Sequence, residues 1–220
     1  MSHISPIVFL LDDDPRIVAA LGRILQANGF PISAWTSATE FLIGHDAYAH
    51  GCLVTDLRMP GVSGLEVQRT LLARGIDRPV VFITAHGEVQ TTVLGMKAGA
   101  VTFLTKPVRS ADLVRAVREA IKRDAAMRER RCEQADISNR LSQLTPRECE
   151  VLHLLVKGRL NKQIAAELGA AEKTIKVHRG RILDKMQVPT ATALVSLLYR
   201  GQPGAHLVAP KGYGTHAAGP

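Results

Sequence analysis

The stretch IVFLLDDD at residues 7–14 places three consecutive acids directly after five apolar residues. A short and wholly apolar run is typical of a strand that is buried on both faces of a parallel sheet. Later apolar runs in residues 1–122 likewise end in a polar side chain, at Asp56, Thr84 and Lys106. Helical patterns separate these runs, and strict alternation of strands with helices predicts an α/β fold with a parallel sheet.

Helix boundaries follow from capping signals in the same region. Asparagine, serine or threonine before a helix, proline in its first turn and glycine after its last turn all mark helix ends. The predicted helices follow Pro15 and Ser37, cover Gly64–Ala73 and Glu88–Lys97, and begin again at Ser110.

Functional side chains of an open parallel sheet collect at the carboxyl ends of its strands. We therefore expect Asp12, Asp13, Asp56, Thr84 and Lys106 to share one pocket. Carboxylate oxygens bind Mg²⁺, a carboxylate can act as a nucleophile, and an ammonium group and a hydroxyl can bind phosphoryl oxygens. The acid that stands alone at its strand end is the better nucleophile, whereas the adjacent pair suits metal binding.

Each of these residues also has an ordinary structural explanation. Residues 12–14 could form a turn with a helix N-cap, Asp56 could be a solvated strand end, and Thr84 could be a common strand residue. Lys106 could be a surface charge, although an X-Pro bond at Pro107 raises the chance of a cis peptide that directs the lysine inward. Their joint occurrence at successive strand ends favours the pocket.

The positive charge of the chain is concentrated in one segment. Residues 145–200 hold 10 Lys and Arg against 5 Asp and Glu, whereas residues 1–122 hold 12 against 11. A basic domain beside a near-neutral one suggests a polyanionic partner, but charge alone is equally compatible with a merely soluble surface.

The basic segment has the pattern of a helix-turn-helix. Thr145-Pro146 with Glu148 is a capping box that opens the first helix, which stops near Gly158. A short helix, a turn that contains glycine and a longer helix follow, which is the helix-turn-helix arrangement. The later predicted helices are Asn161–Leu168, Glu172–Met186 and Thr190–Tyr199.

The helix predicted at Glu172–Met186 has one apolar and one cationic side. Ile175, His178, Ile182 and Met186 share the side that we expect to pack inward, and the opposite side fits the major groove. Gly180, on that outer side, costs about 1 kcal/mol in helix propensity, and either permits a close approach to the backbone or loses a contact. The candidate DNA contacts are Lys162, Lys173, Thr174, Lys176, Val177, Gly180 and Arg181.

Two further segments complete the organisation. Residues 123–140 are charged and rich in alanine, which predicts a helical linker, with a disordered tether as the alternative. Residues 201–220 are rich in glycine and proline, which predicts a flexible tail. The predicted domains are therefore 1–122, the linker 123–140 and the helix-turn-helix domain 141–200.

No run of about 18 apolar residues, no signal peptide and no metal-ligand spacing of cysteines is present in the sequence. We therefore expect a cytoplasmic protein without a membrane partner.

The motifs resemble those of a known family. Residues 1–122 are similar to the receiver domain of bacterial two-component response regulators, and residues 144–198 resemble the LuxR-type helix-turn-helix. Together they match the FixJ/NarL class over residues 5–199, FixJ-like in the receiver. The receiver motifs are Leu11-Asp12-Asp13-Asp14, Thr55-Asp56-Leu57-Arg58-Met59-Pro60-Gly61, Thr84-Ala85-His86-Gly87, Met96-Lys97-Ala98-Gly99-Ala100 and Phe103-Leu104-Thr105-Lys106-Pro107.

The resemblance implies a flavodoxin/CheY-like five-stranded parallel sheet of order 2-1-3-4-5, followed by an all-α four-helix domain. It implies that Asp56 accepts phosphate from a sensor histidine kinase, assisted by Thr84 and Lys106, and that Thr84 and Phe103 form a switch. Pro107 would keep a structural role. Mg²⁺ would be bound by Asp12, Asp13, Asp56 and the backbone carbonyl of Arg58.

The function implied is regulation of transcription. Phosphorylation would promote a homodimer that binds double-stranded DNA, with RNA polymerase as a further partner. The expected dimer surface contains Val93, Met96, Ala100, Val114 and Val117. The protein would not be an enzyme, apart from self-phosphotransfer and slow autodephosphorylation.

Two other classes remain open from the residues. Aspartate-nucleophile phosphatases also use Mg²⁺, a threonine and a lysine, but they generally have an acid two positions after the nucleophile, where this chain has Arg58. The other class is a binding module that works without phosphate. The intact set of acids, together with Thr84 and Lys106, argues against this class.

Overall fold

The structure, a computed structural model, describes residues 5–85 and 101–201. The chain divides into two compact units, with the boundary after Arg128. The helix predicted at Glu88–Lys97, and with it Val93, Met96 and Ala100, lies outside the described residues, as does the segment 202–220.

The first unit contains a parallel sheet of five strands in the order β2-β1-β3-β4-β5, which confirms the predicted topology. The central strands β3 and β4 are buried along their whole length, because helices cover both faces. This burial is why β3 is apolar up to Val54 and β4 is apolar up to Ile83. The strands are β1 Ile7–Leu11, β2 Ile32–Trp35, β3 Gly51–Asp56, β4 Val80–Thr84 and β5 Thr102–Thr105.

Alternate residues of each strand enter the two cores of this unit. Val8 and Leu10 pack with α1 (Pro15–Ala27) and with the start of α4 (Ser110–Ser142). Phe9 and Leu11, from the same strand, enter a second core with α2 (Ala38–Gly44) and α3 (Gly64–Ala73).

Capping side chains begin α1, α2 and α3, and among these the Ser37 cap of α2 was predicted from the sequence. The Asp14 side chain accepts the Arg16 amide at the start of α1, and Ser63 and Glu66 form a capping box on α3. The turn with an N-cap is therefore present: Asp12 Oδ1 accepts the Asp14 amide at 2.9 Å within the turn, and Asp14 is the cap.

The predicted linker 123–140 lies within α4, so it is helical. The first unit extends beyond the predicted end at residue 122 because α4 is bound to the amino end of β3. Asp124 Oδ2 accepts the Gly51 amide at 3.0 Å and Arg128 Nε at 2.9 Å, and Arg128 Nη2 donates to the Ala49 carbonyl at 2.7 Å.

One prediction about α4 is wrong. Val117 was expected on the dimer surface, but its side chain is fully buried against the sheet. Val114, in contrast, is half-buried. Helical spacing alone does not distinguish the two, because a helix that packs on a sheet buries only part of its apolar stripe.

The second unit is helical and has a core of its own. Ile164, Ile175, Ile182, Met186 and Leu194 are fully buried in it. Its helices are α5 Pro146–Val156, α6 Asn161–Glu167, α7 Glu172–Lys185 and α8 Ala191–Gly201. Within residues 5–85 and 101–201, no helix has the length and apolar character needed to span a membrane.

Candidate functional site

Three carboxylates meet at the carboxyl edge of the sheet. Asp12 follows β1 and is 1 % exposed, Asp56 is the last residue of β3 and is 9 % exposed, and Asp13 is exposed. Because β1 and β3 are parallel neighbours with Leu11 opposite Thr55, the acids that follow lie side by side. One oxygen from each of the three lies within 4.8 Å of the others.

Lys106 joins this cluster from the carboxyl end of β5, the edge strand two positions from β3. Its amide donates to the Thr84 carbonyl at 2.9 Å, which holds it at the end of β4, and the peptide bond to Pro107 is cis, as the sequence suggested. The Lys106 ammonium group donates to Asp12 Oδ2 at 2.9 Å and also to Asp56 Oδ2. One cation therefore bridges acids from two strands.

The electrostatics of the cluster follow from burial and pairing. Burial raises the pKa of Asp12, and the hydrogen bonds from the Asp14 amide and Lys106 offset this only in part. Burial works to lower the pKa of Lys106, but its hydrogen bonds to Asp56 and Asp12 outweigh burial, so the pKa is raised. Lys106 is therefore a fixed positive charge.

The donor set suits a hard divalent cation. Asp12, Asp13 and Asp56 offer carboxylate oxygens on a common centre, and Lys106 pairs with two of these acids, Asp12 and Asp56. Mg²⁺ prefers such oxygen ligands and completes its octahedron with water or phosphate oxygens. The residues present therefore fit Mg²⁺.

The remaining predicted site residues lie around this cluster. Thr84, 5 % exposed, ends β4, and its hydroxyl donates to the Ala85 carbonyl at 3.1 Å. The Arg58 amide donates to Asp56 Oδ1 at 3.1 Å, which places Arg58 in the loop that leaves the acid. The half-buried ring of Phe103 stacks on Phe82, with centroids 5.0 Å apart.

Gly64 supports Asp56 from behind and was missed by the sequence analysis. A Cβ atom at Gly64 would lie 2.2 Å from the Asp56 carbonyl oxygen, closer than any real contact. The Gly64 amide also donates to the Leu57 carbonyl at 3.1 Å. Only glycine permits this approach, so the amino end of α3 packs directly against the end of β3.

A second candidate surface is the outer side of α7. Ile175 and Ile182 are fully buried on its inner side, as predicted, and His178 is half-buried. Val177 is 48 % exposed, which leaves its side chain accessible on the outer side of α7. The other predicted contacts, all exposed, are Lys162 on α6 and Lys173, Thr174, Lys176, Gly180 and Arg181 on α7.

Polar contacts fix α7 within its unit. Glu148 is 2 % exposed, and its Oε2 accepts the Thr145 amide at 2.8 Å and Lys185 Nζ at 2.6 Å. The bonds to Lys185 and Thr145 lower the pKa of Glu148 in spite of its burial, whose effect is in the opposite direction. Near the middle of α7, Arg179 Nη1 donates to Asn161 Oδ1 at 3.2 Å.

Comparison with known proteins gives the same two regions. Residues 8–118 match a family model described as the response regulator receiver domain. Residues 142–198 match one described as bacterial regulatory proteins of the luxR family. The first match contains the acids and Lys106, and the second contains α7.

Similar proteins match along most of the chain. The response regulator protein TmoT of Ectopseudomonas mendocina is 38% identical over 200 residues, which cover 91% of this chain and 91% of TmoT. The transcriptional regulatory protein FixJ of Azorhizobium caulinodans is 37% identical, over 86% of this chain and 90% of FixJ. A solved structure of the response regulator StyR is 43% identical, with a TM-score of 0.78 and coverage of 89% of this chain and 99% of that chain.

Proposed function

Because the chain belongs to the FixJ/NarL class of response regulators, with a receiver domain followed by a LuxR-type DNA-binding domain, we propose that phosphorylation of Asp56 controls its binding to DNA. The family matches and the similar proteins confirm the function predicted from the sequence, that of a transcriptional response regulator. The proposal rests above all on one observation: at the carboxyl edge of the sheet, the Lys106 ammonium group forms ion pairs with both Asp12 and Asp56.

Asp56 is the proposed nucleophile. A carboxylate oxygen attacks the phosphorus atom of a phosphohistidine on a sensor histidine kinase, the P–N bond breaks, and the imidazole leaves with the electron pair and takes up a proton. Lys106 and the Thr84 hydroxyl bind the phosphoryl oxygens from the ends of β5 and β4.

Asp12, Asp13, Asp56 and the backbone carbonyl of Arg58 are the proposed ligands of Mg²⁺. When bound, the ion neutralises charge that would otherwise repel the phosphodonor. Position 58 is an arginine, where aspartate-nucleophile phosphatases have a general acid. This is consistent with self-phosphotransfer and slow autodephosphorylation rather than turnover of a separate substrate.

Phosphorylation then acts through the population of two receiver states. The Thr84 hydroxyl moves toward the phosphoryl group, and Phe103, which is half-buried and stacks on Phe82 in this structure, turns inward. The receiver forms a homodimer, with Val114 as the described residue of the proposed surface. A dimer presents two copies of α7 to a two-fold DNA site and can then recruit RNA polymerase.

The proposed division of the chain is a receiver at 1–122, a linker at 123–140 whose first residues bond to the receiver through Asp124 and Arg128, a DNA-binding domain at 141–200 and a tail at 201–220. DNA binding is assigned to the basic segment, where α7 presents Lys173, Lys176 and Val177 outward.

The test is selection of bound fragments from genomic DNA with and without acetyl phosphate. Wild-type protein should enrich a common sequence at least tenfold more strongly after acetyl phosphate treatment. The Asp56→Asn variant, which keeps the size of the side chain, should show no such gain. If Asp56→Asn still dimerises and gains DNA binding on treatment, phosphorylation of Asp56 is not the switch.

A further inference from the structure

The middle of α7 contains a glycine for which the described residues give no internal reason. Gly180 is helical and is the ninth of the 14 residues that begin at Glu172. A Cβ atom added there meets no heavy atom of the described residues within 4 Å, whereas a Cβ at Gly64 would meet the backbone at 2.2 Å. Glycine weakens a helix relative to alanine, so α7 carries a cost without a gain in its own packing.

Gly180 lies on the outer side of α7, one turn after the exposed residues Lys176 and Val177 and next to the exposed Arg181. In an α-helix a Cβ at this position would point back toward that preceding turn. The bare backbone therefore forms a notch in a surface that is otherwise covered by long or branched side chains.

The position of the notch along the helix indicates what fills it. With a rise of about 1.5 Å per residue, Gly180 lies about 12 Å from the start of α7. The recognition helix of a helix-turn-helix lies in the major groove with its first residues on the base edges, so this later point is placed nearer the sugar–phosphate wall. Arg181 is then placed to bind a phosphate.

Rotation of α7 could not easily relieve a clash at this point. Ile175 and Ile182 are fully buried on its inner side, and Lys185 Nζ is held by Glu148 at 2.6 Å. Arg179 adds its bond to Asn161 at 3.2 Å. The outer side of α7 is therefore presented in a fixed direction.

We propose that Gly180 is the point where the sugar–phosphate wall of the major groove packs against the backbone of α7. The inference rests on the proposed DNA-binding function. It assigns to Gly180 a contact that is independent of base sequence, and it explains why a costly residue stands in an exposed helix. Val177 and Lys176, nearer the start of α7, are left to contact base edges.

The test compares wild type with Gly180→Ala and Gly180→Ser in the full-length protein treated with acetyl phosphate. Two 30-bp duplexes serve as probes, one selected by the wild-type protein from a random-sequence library and one unselected. Ser138→Ala, at an exposed position of α4, is the matched control for a gain in helix propensity. Melting temperature and dissociation constants are measured for each variant.

Gly180→Ala should melt a few degrees higher than wild type, yet bind both duplexes about tenfold more weakly, and Gly180→Ser should bind more weakly still. Ser138→Ala should leave both affinities unchanged. Unchanged or tighter binding by Gly180→Ala contradicts the proposal, as does a loss confined to the selected duplex, which would indicate a base contact. A lower melting temperature also contradicts it, because the added methyl group would then clash within the protein.

Different outcomes would contradict the proposed DNA-binding function and the proposed role of Gly180. If wild type enriches no sequence from the library and does not bind the unselected duplex, the proposed DNA-binding function is wrong. If wild type binds and Gly180→Ala binds equally well, only the role of Gly180 is wrong.

Discussion

Buried charges at the two ends of the strands, the carboxyl edge and the amino edge of the sheet, are paired differently. At the carboxyl edge, Lys106 is shared between Asp12 and Asp56. At the amino edge, Asp124 is satisfied by the Gly51 amide and by Arg128. Removal of one partner from a fully paired buried charge destabilises a fold, whereas an excess of one sign at a strand end favours binding of an ion or a phosphoryl group.

A second arginine of this cluster, Arg78, is only partly paired, because its Nε and Nη1 atoms are buried without a hydrogen-bond partner among the described residues. Arg78, 5 % exposed, donates to the Asp46 carbonyl at 2.7 Å and stacks over the Phe9 ring at 3.9 Å. Burial lowers its pKa to about 10, with Asp124 acting in the opposite direction. The guanidinium group therefore remains charged at neutral pH.

The largest expected effect is on stability, at the amino edge. Asp124→Ala leaves the half-buried Arg128 and the buried Gly51 amide without their carboxylate, and should lower the free energy of unfolding by about 3 kcal/mol. Urea denaturation measures this. At 25 °C the folded fraction should take up phosphate at the wild-type rate, because Asp124 has no part in the chemistry.

Asp112→Ala is the control for this prediction. Asp112 pairs with the exposed Arg109 and Arg115 on the surface of α4, and such pairs contribute less than about 1 kcal/mol. Equal losses from Asp124→Ala and Asp112→Ala would show that the amino-edge cluster has no special role in stability.

The next effect is on rate, at the carboxyl edge. Lys106→Met should slow phosphorylation by acetyl phosphate about 100-fold, because a fixed donor to the phosphoryl oxygens is removed. Incorporation of phosphate over time measures the rate. Lys122→Met, at an exposed position of α4, should retain the wild-type rate. A Lys106→Met variant that is folded and reacts normally would contradict the role of the lysine.

A smaller effect is expected in the second unit, where Glu148 is also fully paired. Its pKa is lowered in the folded state, so its contribution to stability is present above the ordinary value of 4.5 and is lost as pH falls through the lowered pKa. Glu148→Gln should cost about 2 kcal/mol at pH 7 and less at acid pH.

Urea midpoints between pH 7 and pH 3 test this for wild type and Glu148→Gln. The difference between the two proteins should shrink as the pH falls. A difference that stays constant over this range would show that the charge of Glu148 does not stabilise the unit.

The same contrast explains what could be predicted from the sequence. Asp12, Asp56 and Lys106 each follow an apolar run, and the geometry of parallel strands brings the ends of such runs together. Nothing similar distinguishes Asp124 from Asp112, since both are acids in a charged helix. Their different burial depends on how α4 packs.

Local signals were sufficient for helix ends but not for contacts between helices. Thr145 and Glu148 were predicted as a capping box and form one. The bond from Lys185 to Glu148 was not predicted, because it depends on the crossing of α5 and α7. Val117 was misplaced for the same reason, and the tight approach at Gly64 has no signal beyond the glycine itself.

The most direct test of the central claim is mass spectrometry of the protein after treatment with acetyl phosphate and Mg²⁺. We predict a single added phosphoryl group, located on the peptide that contains Asp56 and absent from Asp56→Asn. Its yield should fall when Mg²⁺ is removed by a chelator. A phosphoryl group on any other residue, or equal labelling of wild type and Asp56→Asn, would contradict the account.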